Sequence, residues 1–140
     1  MRMRLHHVGI AVRELEPALA EFTAGQGYAV VSRAIHDPVQ TAFVQFLRQP
    51  GADSCLELVA PDGPNSKLVG ALKRGGGLNH LCYATDDIDQ ACRALRGEGM
   101  FVIHEPVPAV AFPGRRIAWL LGGQRVLVEL VEEGTDAWPL

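Results

Sequence analysis

No apolar run in this chain reaches the ~18 residues that a helical membrane span requires, so no such span is expected. The opening Met1-Arg-Met-Arg-Leu-His carries charge with no apolar stretch after it, which argues against an export signal. Cysteine is sparse. Cys55, Cys82 and Cys92 are odd in number and widely spaced, and they read as reduced thiols of a cytoplasmic protein, not a disulfide framework. A surplus of positive charge is also missing, since 13 Lys and Arg stand against 16 Asp and Glu for a net charge of −3. Phosphate binding needs a basic face, so nucleic acid is not an expected partner. What remains is ordinary for a globular chain, with 48% hydrophobic and 21% charged residues. The 140 residues suffice for one domain. Each half alone, roughly 60 residues, would be marginal.

The strongest positive feature is an internal repeat. Leu5-His6-His7-Val8-Gly9-Ile10-Ala11-Val12 aligns with Leu78-Asn79-His80-Leu81-Cys82-Tyr83-Ala84-Thr85, an offset of 80 − 7 = 73. Leu56-Glu57-Leu58-Val59 aligns with Val128-Glu129-Leu130-Val131, an offset of 129 − 57 = 72. Two separated segments recurring in the same order at nearly one distance point to a duplicated unit.

Each half reads as βαβββ. Alternating strands are predicted at 5–12 and 78–85. In the first half a helix follows, with Pro17 in its first turn, Leu15, Ala18, Leu19 and Phe22 as its stripe, and Gly25 and Gly27 at its end. In the second, Asp86 or Asp87 caps a helix striped by Ile88, Ala91, Cys92 and Leu95 and closed by Gly97 and Gly99. Further strands are expected near 28–35, 41–48, 54–60, 100–104, 115–121 and 125–132, with Gly122-Gly123 turning the last hairpin. The Pro- and Gly-rich segment 61–77, helical near 67–73, separates the halves. The modules cover about 4–61 and 78–132, joined by a linker at 62–77, in a single domain of residues 1–140.

Strand alternation then sorts the polar residues by face. Val8, Ile10 and Val12 suit a helix-covered face, which turns His7 the other way, beside Gly9 and Ala11. His80 repeats this with Cys82 and Ala84. Glu57 and Glu129 each stand alone in an apolar strand, where an unpaired carboxylate is costly. A lone strand histidine is usually a hydrogen-bonded core residue, and a lone strand glutamate usually faces solvent. Placed symmetrically by a repeat, two of each suggest one divalent cation shared by His7, Glu57, His80 and Glu129. His6 lies on the wrong face and reads as structural. His36 and His104, in turn or strand-end settings, read as weak ligand candidates. Cys55 and Cys82 read as packing residues.

With these residues in view, the chain resembles the vicinal oxygen chelate superfamily, which includes glyoxalase I, methylmalonyl-CoA epimerase, extradiol dioxygenases and bleomycin-resistance proteins. The resemblance rests on residues 5–12, 56–61, 75–83 and 126–132 and looks closest to the methylmalonyl-CoA epimerase branch. It implies an α+β fold of two tandem βαβββ modules forming a curved, barrel-like mixed sheet around a metal cavity. It also implies one divalent ion (Co, Mn, Ni, Zn or Fe) on His7, Glu57, His80 and Glu129, with glutamine tolerated at the place of Glu57. A homodimer is expected by the same analogy. The epimerases carry a catalytic glutamate before the third strand of the first half. Here that region reads Ile35-His36-Asp37-Pro38-Val39-Gln40-Thr41, so Asp37 or His36 is left as a substitute.

The expected chemistry is metal-stabilised enolate formation on a small oxygenated acid or its thioester, by an epimerase, isomerase or lyase. Glu129, Asp37 and His36 are the candidate bases. Gln40, Gln45 and one arginine of the Arg115-Arg116 pair, with Arg116 preferred, are the candidate substrate contacts. Glyoxalase I-type isomerisation is the first competitor. Dioxygenation fits less well, because its iron sites use three protein ligands. A non-catalytic small-molecule binding protein is the competitor from another class, disfavoured because all four ligands are present.

Overall fold

The computed structural model describes residues 1–134. Its elements are β1 (Met3–Ala11), α1 (Leu15–Gly25), β2 (Ala29–Val30), β3 (Ile35–Asp37), β4 (Ala42–Arg48), β5 (Cys55–Pro61), α2 (Val69–Lys73), β6 (Gly77–Thr85), α3 (Ile88–Gly97), β7 (Phe101–Pro108), β8 (Arg116–Leu121) and β9 (Leu127–Glu132). Two compact units divide them. One comprises His7–Asn79, and the other joins Met1–His6 to the chain from His80 onward. Among the described residues no helix is long and apolar enough to cross a membrane.

In the unit His7–Asn79 the strand order is β2-β4-β5-β1, with β3 also on β4. β1 and β5 run parallel, which places Gly9 opposite Glu57 and Ile10 opposite Leu58. α1 is the crossover between the first strand and the rest. Its stripe of Leu15, Ala18, Leu19 and Phe22 covers Leu47, Leu56 and Leu58, so the helical spacing seen in the sequence does seat the helix on the sheet. Burying a side chain such as Leu58, fully inaccessible here, contributes about 1.5–3 kcal/mol. The segment expected as one strand near 28–35 is two short pieces, β2 and β3, which meet β4 at its opposite ends.

The linker closes on Gly76. Its φ of +71° is left-handed, and a Cβ there would stand 2.9 Å from the Ala11 carbonyl oxygen, part of the backbone. Gly76→Ala is expected to cost about 1–3 kcal/mol, read as a lower urea midpoint at unchanged slope.

In the other unit the order is β6-β9-β8-β7, again with first and last strands parallel. Asp87 caps α3, its side chain accepting from the Gln90 N–H. Ile88, Ala91 and Cys92 then pack on Ala118, Leu120, Val128 and Leu130. Two expectations differ in detail. β7 runs to Pro108 despite its prolines, which an edge strand tolerates because the missing N–H would face outward. The hairpin before β9 takes its left-handed residue at Arg125 (φ 63°), not at Gly122 or Gly123, because the Arg125 N–H bonds the Gly122 carbonyl and lengthens the turn.

Candidate functional site

Each unit carries one imidazole–carboxylate pair on the face away from its helix. In the first, Glu57 stands between Leu56 and Leu58 on β5, and Gly9 opposite it on β1 offers no side chain. That opening lets His7, one step earlier on the same face, lean over. Its Nε2 lies 3.4 Å from Glu57 Oε1. His7 is fully buried and Glu57 nearly so. Phe46, paired with Glu57 across β4, is also fully buried and meets the His7 ring edge-on at 5.4 Å. An apolar wall thus seals the pair from one side.

The second unit repeats this geometry. Cys82 takes the place of Gly9 and pairs with Glu129 in the parallel register. His80 Nε2 lies 3.5 Å from Glu129 Oε1, with both residues buried. Trp119, opposite Glu129 on β8, meets the His80 ring edge-on at 4.9 Å. In both units the nitrogen–oxygen separation exceeds that of a well-formed N–H···O hydrogen bond. Each pair offers an imidazole nitrogen and a carboxylate oxygen in a desolvated setting. That mixed donor set suits a borderline divalent ion such as Zn, Co, Ni, Mn or Fe better than calcium, which prefers oxygen alone. The residues therefore fit a metal.

The other expected site residues are distributed by the register. Asp37 shares the Glu57 face, opposite Ala42, but Ala42 is four residues along β4 from Phe46, about 13 Å. Its Oδ1 accepts the N–H groups of Val39 and Gln40, so the carboxylate caps its own turn. His36 faces the helix side. It is exposed, bonds Asp62 Oδ2 at 2.9 Å through Nε2, and stacks on Phe43. Gln45 also lies on the helix side, its amide donating to the Ser32 carbonyl. Gln40 sits in the 38–41 turn, where its carbonyl accepts from Thr41. None of His36, Gln40 and Gln45 joins the His7–Glu57 pair.

The two arginines part to opposite faces. Arg116 lies on the α3 side, where its guanidinium binds Asp89 Oδ2 at 2.9 Å and Glu132 Oε2 at 3.1 Å. Arg115, one residue earlier, is the buried one on the Glu129 side, packed directly against Gly134. The alternation over 115–121 separates the two arginines, but only the tertiary partners show which face is covered. The rings of Phe46 and Trp119 were not singled out from sequence, although each sits across a strand from a ligand candidate.

Arg116 holds the Asp89 carboxyl below its ordinary value, chiefly by hydrogen bonding. A depressed carboxyl stabilises the fold above its unfolded pKa, and that contribution disappears as pH falls through the folded value. Arg116→Gln is therefore expected to lower the melting temperature slightly at neutral pH. The difference from wild type should vanish in acid, and the affinity for substrate should not change.

Residues 6–119 match the family model of the Glyoxalase/Bleomycin resistance protein/Dioxygenase superfamily. An ethylmalonyl-CoA/methylmalonyl-CoA epimerase of Cereibacter sphaeroides is 33% identical over 119 residues, spanning 84% of this chain and 87% of that protein. The mitochondrial methylmalonyl-CoA epimerase of Homo sapiens is 35% identical over 133 residues, 91% of this chain and 72% of that one. The crystal structure of methylmalonyl-CoA epimerase from Mycobacterium tuberculosis superposes with a TM-score of 0.82 at 28% identity, covering 97% of this chain and 91% of the other.

Proposed function

Because the chain belongs to the glyoxalase/bleomycin resistance/dioxygenase superfamily, we propose that it is a divalent-metal-dependent epimerase of a 2-substituted malonyl-type CoA thioester. The observation that carries this reading is the buried His–Glu pair repeated in each module, alike in residue type, register and spacing. In this proposal His7, Glu57, His80 and Glu129 hold one ion together. The names and coverage of the relatives support the thioester substrate.

A bound divalent ion would supply Lewis-acid stabilisation of the negative charge that develops on neighbouring substrate oxygens. The chain's own side chains do the rest. The Glu129 carboxylate takes the C2 proton of the substrate, and the C–H electron pair passes into the adjacent thioester as an enolate. Phe46 and Trp119 keep water from the two pairs, which strengthens the electrostatic interactions there. Asp37, engaged with its turn, and His36, on the helix side, are not assigned to proton transfer.

The reading includes a small-molecule substrate and a cytoplasmic homodimer. The dimer is supported by the family analogy and by β7, which pairs on one side only. The cytoplasm is supported by the sparse, oddly numbered and widely spaced cysteines of the sequence. Light scattering tests the first, and a species of about twice the 15.1 kDa chain mass is expected.

The function is tested by incubating metal-loaded protein with methylmalonyl-CoA in D₂O. The expected result is deuterium at C2 together with inversion, and one equivalent of metal in protein purified without chelator. Protein that takes up no Co²⁺, Mn²⁺, Ni²⁺ or Zn²⁺ and exchanges no proton would overturn the reading.

A further inference from the structure

Epimerisation without turning the intermediate over in the site uses two proton carriers. Once the C2 proton has left one face of the planar enolate, inversion requires delivery to the other. Resting on the reading above, we infer that His104 is the second proton carrier, working across Trp119 from Glu129.

The register sets this out within one unit. Glu129 on β9 pairs with Trp119 on β8, and Trp119 pairs with His104 on β7. The three form one row across adjacent strands. Their faces are fixed by what flanks His104. Val102, before it, packs against the α3 core cluster. Glu105, after it, binds Arg96 of α3 at 2.6 Å. Both therefore lie on the helix side, and His104 lies on the face of Glu129 and Trp119.

This placement depends on irregularity. β7 breaks register on both sides of His104, between Val102 and His104 and again between His104 and Val107. Bulges are over-represented at sheet edges, where β7 lies, and beside active sites, and they re-aim a side chain. Without the first bulge, Ile103 would stand opposite Trp119 and His104 would turn toward the helix.

The chemistry of the ring also fits. His104 Nδ1 lies 3.2 Å from the Glu105 carbonyl oxygen. A carbonyl can only accept, so the Nδ1 of His104 carries the hydrogen, and Nε2 is the nitrogen that gains or loses a proton. Two strand spacings separate the Glu129 and His104 backbones by about 10 Å. A carbon atom between two proton carriers needs about 3 Å to each, so the two side chains lean inward on an enolate that stands on edge over the Trp119 ring with one face toward each. His104 is exposed, which lets it exchange its proton with water.

The step balances without a further reactant. Glu129 accepts the C2 proton of one epimer, the electron pair enters the thioester, and the His104 imidazolium returns a proton to the opposite face of C2. The reverse reaction exchanges the roles, and the thioester and carboxylate are unchanged overall.

Both epimers of methylmalonyl-CoA in D₂O separate the possibilities with the metal-loaded protein. His104→Phe is expected to slow inversion by about 10²–10⁴-fold. The C2 proton of one epimer should still exchange near the wild-type rate, and that of the other should not. Metal content and circular dichroism should match wild type. His104→Gln, which keeps a polar side chain without an equivalent base, is expected to show the same one-sided exchange should the phenylalanine variant fold poorly. Inversion at the wild-type rate, or equal loss of exchange from both epimers, would overturn the assignment of His104 alone. Wild-type protein that exchanges neither epimer would instead overturn the epimerase reading on which it rests.

Discussion

Glu129→Gln is expected to lower epimerisation by about 10²–10⁴-fold, the usual worth of a positioned proton carrier. The substitution keeps the shape of the side chain and removes its charge and its basic oxygen. It acts on both proposed roles of Glu129, as ligand and as base, so metal affinity should fall as well. Glu57→Gln is the informative contrast. Glu57 has the same register, burial and imidazole partner, but the proposal gives it no proton to carry. A glutamine there should retain the ion and most of the activity, in line with the glutamine that the family resemblance allows. Metal content by elemental analysis and deuterium incorporation at C2 measure the two effects separately. Equal loss in both variants would show that charge at the ligand pair matters and proton transfer through Glu129 does not.

Leu130→Ala is expected to destabilise the protein by about 2–5 kcal/mol, the cost of a cavity where a leucine was fully buried. Leu130 sits next to Glu129 but points to the other face, into the cluster of Ile88, Ala91, Cys92, Ala118, Leu120 and Val128. The loss should appear as a lower urea midpoint with little change in slope. Metal affinity measured well below the transition should hardly move, because the substitution leaves the Glu129 face intact. A large loss of metal at low denaturant would mean that the two faces of β9 are coupled.

The two substitutions are neighbours in sequence and differ in consequence because β-strand side chains alternate. That alternation was legible from the start. It separated His7 from Val8 and Glu129 from Leu130 before any strand was paired. The duplication was legible too, and the structure repeats it as register, with Gly9 opposite Glu57 in one unit and Cys82 opposite Glu129 in the other. The helix stripes of α1 and α3 followed from their 3.6-residue spacing, and a cap at Asp86 or Asp87 from the preference of helix starts for a short side-chain acceptor, with the structure choosing Asp87.

Other features were hidden for definable reasons. The alternation over 115–121 showed that Arg115 and Arg116 point oppositely, but not which one meets Asp89 on another element. The same holds at the 35–41 hairpin, where a shift of one residue exchanges the faces of His36 and Asp37. His104 was out of reach because two bulges in β7 interrupt the period from which its direction would be read.

The sequence by itself determined the repeat, the apolar faces of its helices and strands, and the isolation of one histidine and one glutamate in each module, because these are properties of spacing along the chain. Only the tertiary structure decided which residues of neighbouring strands stand opposite one another. Register is set by turns, bulges and core packing, and those forces act between segments that the linear order keeps apart.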